Sequence, residues 1–173
     1  PPPAPLVVLL HGSVLSHVMW TPQVEALASG CRVSAPDLPG HGTRVTERFS
    51  FAAASAVVDA CIDAGGGHPA VLVGLSLGGY VALDYVGRWP QRVAGLVLAG
   101  CSRNMRGALA IYLRAVSGLM RRGWLRQRRT SLEARTRRLF PAPLAPVAEA
   151  QIQAGLAPDA VADAFGEIAG RDF

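Results

Sequence analysis

Four short apolar runs, Leu6–Leu10, Cys31–Ala35, Ala70–Gly74 and Val93–Ala99, are separated by stretches of helical or turn character. Runs this short and continuous suit strands buried on both faces, and strands alternating with helices at this pitch pair in parallel. Val18, Trp20, Val24 and Leu27 recur at helical spacing, which predicts a helix over about 18–28. Ser50 is placed to cap a helix running to about Ala64, ended by Gly65-Gly66-Gly67, and a further helix is expected from about Gly78 to Arg88. The expected fold is therefore α/β, a mostly parallel sheet of about four strands flanked by helices. Half of the residues are apolar but only 6% are aromatic, so the core must be built from Val, Leu and Ala, as a buried parallel sheet requires.

Beyond Gly100 no further β-branched run appears, and residues 103–170 read as several helices interrupted by Gly123 and by prolines at 141, 143, 146 and 158. Thr130-Ser131-Leu132-Glu133 has the form of a capping box. The chain of 173 residues suits one domain, divided into a core over 1–100 and a helical cap over 101–173.

The net charge is +5, carried by arginine with no lysine, and between Cys101 and Phe140 eleven arginines face a single acid, Glu133. Such a stripe suits a solvated helical face or an anionic substrate or partner. Nucleic acid is not expected, because no binding motif or interleaved aromatic accompanies the arginines. Cys31, Cys61 and Cys101 lie far apart in apolar settings and read as small buried hydrophobes. No stretch is apolar for long enough to cross a bilayer, and Pro1–Leu10 lacks the basic region and cleavage site of a signal peptide. A cytoplasmic location with no membrane partner is expected. Neither a metal nor an organic cofactor is expected: no ligand cluster has metal spacing, and no glycine-rich loop has a nucleotide-binding form.

The chemistry centres on Gly74-Leu75-Ser76-Leu77-Gly78, a G-x-S-x-G sequence. It follows an apolar run and opens a helix, so the serine is expected on a sharp turn with its hydroxyl exposed, and the flanking glycines avoid collisions with strand and helix. Ser76 is the candidate nucleophile. The amide of Leu77, with that of Ser13 or Val14 in the loop after the first strand (Ser13 preferred), would form an oxyanion hole. His11 reads as a structural hydrogen-bonding residue.

HGSVLSHVMW, APDLPGHG and GLSLGGYVALDYVGRWPQRVAGLVLAG together resemble the α/β-hydrolase superfamily of esterases, lactonases and carbon–carbon bond hydrolases. The resemblance covers residues 6–100. It implies a helical cap over the active site, a structural turn at Asp37–Gly42 in which His41 is not catalytic, and cleavage of a small-molecule ester, lactone or similar acyl substrate through an acyl-enzyme. Arg114, Arg121 and Arg122 are candidates to receive a substrate carboxylate or phosphate. Acyl transfer, thioester cleavage, carbon–carbon cleavage, or a non-catalytic binding role for the arginine-rich cap are the alternatives.

The family's chain order is Ser, then Asp or Glu, then His, yet the histidines here are at 11, 17, 41 and 68, all before Ser76. No later strand end offers the acid. Val93–Ala99 would also form an open apolar edge, which argues for a further strand beside it. The expectation is a truncated enzyme rather than a degenerate one, nearly inactive by itself because loss of the base in a serine protease costs on the order of 10⁶ in turnover.

Overall fold

The computed structural model describes residues 4–102, 106–121 and 129–173, the side chains at 121, 129 and 130 excepted. Arg122 and the middle of the arginine-rich stretch lie outside the described residues, as does the side chain of Thr130.

Strands β1 (Leu6–Leu10), β2 (Arg32–Ser34), β3 (Ala70–Leu75) and β4 (Val93–Ala99) form one parallel sheet in the order β2-β1-β3-β4. This is the expected α/β architecture. Helices α1 (Thr21–Leu27), α2 (Phe51–Ala64) and α3 (Leu77–Arg88) provide the crossovers, and α4 (Ala108–Arg121), α5 (Arg129–Leu139), α6 (Ala145–Ala154) and α7 (Pro158–Ile168) follow β4.

All five residues of β1 are buried because side chains alternate between two apolar layers. Leu6, Val8 and Leu10 face a core with Val58 and Ile62 of α2 and Val81 and Tyr85 of α3, whereas Val7 and Leu9 pack with Trp20 and, beyond it, Val24 and Leu27. Each fully buried Val, Leu or Ile contributes roughly 1.5–3 kcal/mol. Leu113 of α4 and Ala164 and Ile168 of α7 join the first core, so the later helices share it.

Ser50 caps α2 as expected, its hydroxyl accepting from the Ala53 amide at 3.1 Å. The stretch expected as one helix over 18–28 is instead a 3-10 turn, His17–Trp20, followed by α1, because Pro22 can enter only the first turn of an α-helix. β4 closes one side of the sheet with Leu96, Val97 and Leu98 exposed.

β1 leads to a strand on one side of it and β3 to a strand on the other. The crevice beyond their carboxyl ends is therefore a topological switch point, where open parallel sheets bind ligands.

Candidate active site

Ser76 sits at that crevice, between the last residue of β3 and the first of α3. Its φ of 49° and ψ of −109° lie outside the regions a side-chain-bearing residue ordinarily adopts. Such a conformation costs on the order of 1–3 kcal/mol and persists where surrounding structure over-determines it. The Ser76 amide donates to the Ala99 carbonyl at 2.7 Å, its carbonyl accepts from Tyr80 at 3.1 Å, and the Gly78 amide donates to the His11 carbonyl at 3.1 Å. Side chains have no room at the flanking positions. A Cβ on Gly74 would stand 2.5 Å from the Gly78 carbonyl, and one on Gly78 would strike the Leu10 carbonyl.

The Ser76 hydroxyl makes no capping bond to α3, and Ser76 lines the crevice. With the Gly78 amide committed to His11, the Leu77 amide remains as a first-turn donor without an intrahelical acceptor. Opposite lies the loop after β1. The Leu15 amide donates to the Gly12 carbonyl at 3.3 Å, making a four-residue turn with Ser13 and Val14 at its centre. Val14 has a φ of 73°, a second strained position and an uncommon one for a β-branched residue.

Ser13, Val14 and Ser76 line a cavity of about 480 Å³. Its roof comes from one face each of three helices: Tyr112, Val116 and Met120 of α4; Leu132, Arg135, Thr136 and Leu139 of α5; and Pro158, Val161 and Phe165 of α7. The i, i+3, i+4 spacings explain how each helix presents an apolar stripe there. Arg135 is the one charged side chain among the described lining residues.

Arg114 lies outside this lining and donates to the Ala169 carbonyl at 3.4 Å. The Arg121 side chain and Arg122 lie outside the described residues. Arg135 was not singled out by sequence, although the phase of α5, read from Leu132 and Leu139, carries the signal.

None of the four histidines lines the cavity. His11 is fully buried; its Nε2 accepts from the Leu38 amide at 2.9 Å and its Nδ1 lies 2.9 Å from the Gly12 carbonyl. Burial, together with the neighbouring His41, lowers its pKa to about 3, so it stays neutral. His41, edge-on to His11 with ring centroids 5.0 Å apart, is also lowered by burial. His17 pairs with Asp37 at 2.9 Å, and His68 is exposed. Burial by itself would raise the Asp37 pKa, but bonds from His17 and Thr43 outweigh it and hold the carboxyl at about 2. Asp37 thus ties the loop after β2 to the loop after β1. Among the described residues no group of three or more His, Cys, Asp or Glu could hold a metal ion, and no helix is long and apolar enough to cross a membrane.

Comparison with known proteins bears on the family and the fold. The chain is 42% identical over 99 residues to the pimeloyl-[acyl-carrier protein] methyl ester esterase of Aromatoleum aromaticum, a stretch covering 57% of this chain and 38% of that protein. A thermophilic esterase from Thermogutta terrifontis superposes with a TM-score of 0.74 at 27% identity, covering 97% of this chain and 64% of that one. MenH from S. aureus shares the fold with a TM-score of 0.75 at 20% identity, over 99% of this chain and 70% of that one. The matched stretch is thus well under half the length of the Aromatoleum esterase. A sequence profile described as the Alpha/beta hydrolase family matches residues 7–172, and the chain belongs to that family.

Proposed function

We propose that this chain carries the nucleophile and oxyanion donors of a serine hydrolase that cleaves a carboxylic ester through an acyl-enzyme. Ser76 attacks the acyl carbonyl, and the amides of Leu77 and Ser13 stabilise the oxygen as it becomes negative. Donors fixed in advance need no reorganisation during the reaction, and loss of one typically costs about 10²–10³ in rate. The observation that carries this reading is the backbone at Ser76: a strained strand-to-helix turn, with glycines on both sides, opening onto a cavity.

A serine hydroxyl needs a base. His11 and His41 are buried and hydrogen-bonded elsewhere, and neither His17 nor His68 borders the cavity. The base and its acid partner are therefore assigned to residues other than these. The cavity suits an acyl chain, and Arg135 adds a site for a substrate anion; the methyl ester named for the Aromatoleum relative makes short alkyl esters the first substrates to try.

The test is fluorophosphonate labelling of the full-length protein, with a p-nitrophenyl ester panel alongside. Labelling and hydrolysis are expected in the wild type and are lost in Ser76→Ala with the fold retained. Undiminished labelling of Ser76→Ala would falsify the assignment.

A further inference from the structure

The loop after β1 is anchored by residues far away in sequence. Gln151 on α6 is fully buried, and its Oε1 accepts from both the amide and the hydroxyl of Ser16, each at 3.0 Å. A backbone N–H can only donate, so the carboxamide must present its oxygen to Ser16. Its Nε2 then donates to the Gly155 carbonyl at 3.3 Å. Just beyond, the Ala157 amide donates to the Val14 carbonyl at 3.1 Å and closes an antiparallel bridge.

Val14 lies between the loop's start at Gly12 and its anchor at Ser16, held at a φ that a β-branched residue abandons unless its surroundings impose it. The turn's own bond, Leu15 to Gly12 at 3.3 Å, is at the long end of the hydrogen-bonding range. Val14 and Ser16 are therefore held from outside the loop by α6 and the residues after it, alongside the bond from the His17 amide to Asp37.

We infer that Gln151 is a positioning residue for the oxyanion hole. It grips Ser16 and so fixes the turn that aims the Ser13 amide across the cavity from Ser76. The inference rests on the serine-hydrolase reading and extends it to a side chain that does not border the cavity. A neutral carboxamide suits the place, because one oxygen with two lone pairs takes both Ser16 donors without burying a charge.

The test compares Gln151→Met, which keeps the volume and removes the acceptor, with Gln151→Glu, which keeps an acceptor oxygen, in the full-length protein. For Gln151→Met, kcat on a p-nitrophenyl ester is expected to fall about 10- to 100-fold while KM moves less than about threefold. Affinity for an alkylboronic acid, a tetrahedral analogue formed on the serine, should weaken by a similar factor. Gln151→Glu, which burial holds as the neutral acid so that one oxygen accepts from Ser16 and the other donates to the Gly155 carbonyl, should restore most of both losses. A lower Tm for Gln151→Met with kcat and boronate affinity unchanged would reduce Gln151 to a stabilising contact and overturn the inference. Should Gln151→Met not fold, Ser16→Ala, which removes one of the two donors, decides: weaker boronate binding supports the inference and unchanged binding overturns it. Turnover that survives Ser76→Ala sinks the hydrolase reading and this inference together, whereas Ser76-dependent turnover indifferent to Gln151 sinks the inference alone.

Discussion

His11 shows how one buried side chain sets a pH limit without touching substrate. Its Nε2 accepts a hydrogen bond from the Leu38 amide, and burial, together with the neighbouring His41, holds the ring neutral in the folded protein with a pKa of about 3, against 6.5 for the free side chain. A depressed pKa contributes stability that is fully present above about pH 6.5 and is lost as the pH falls toward 3, because the unfolded chain takes up the proton first. By pH 5 the loss from His11 is about 2 kcal/mol. His41, also depressed, adds to the slope in the same direction. Urea midpoints should therefore fall between pH 7 and 5, and His11→Gln, which keeps an acceptor for Leu38, should be less stable at pH 7 but show a shallower decline. An equally steep decline in that variant would discard the explanation. At this scale the sequence was informative where chemistry is local: Ser76 and its glycines announce themselves within five residues. Gln151 does not, since its partner lies 135 positions away and a glutamine among alanines in a helix carries no signal of burial.

The elements differ in how tightly their backbones meet. α3 approaches β1 so closely that a methyl group on Gly78 would overlap the Leu10 carbonyl, whereas among the described residues nothing beyond its own helix backbone and chain neighbours lies within 4 Å of the position a Cβ would take on Gly118 of α4. Gly78→Ala is expected to destabilise by more than about 2 kcal/mol, because backbone rather than a movable side chain blocks the methyl. Gly118→Ala should stabilise by roughly 0.4–1 kcal/mol by restricting the unfolded chain. Thermal unfolding of the two variants checks the pair, and similar shifts in both would contradict the close approach. The strands were legible as elements: β1 and β4 have the bounds their apolar runs predict. β2 is shorter than its run, Arg32–Ser34 rather than Cys31–Ala35, since only three residues pair with β1. The phase of α5 is written in Leu132 and Leu139, but that this face, with Arg135 on it, looks onto the crevice is set by tertiary structure.

On the scale of the whole molecule, β4 ends the sheet with Leu96, Val97 and Leu98 exposed. An apolar strand edge is a template for another chain. In sedimentation velocity over about a hundredfold concentration range, this chain by itself should gain mass with concentration, and Val97→Lys should suppress the gain. A monomer throughout would remove β4 as an association surface. Parallel pairing follows from the alternation of strands and helices, but the order β2-β1-β3-β4 and the joining of the loop after β1 to the α6–α7 junction belong to tertiary structure alone. That joining bears on the order in which the proposed site is assembled. Synthesis delivers Ser76 and the Ser13 turn long before Gln151 and Ala157, and a nascent chain holds the hydroxyl while the opposing turn is still free to relax at Val14. On the serine-hydrolase reading, the turn opposite Ser76 therefore takes its shape only once α6 and the residues behind it have docked, and an emerging polypeptide is kept from acylating itself on whatever ester it meets first.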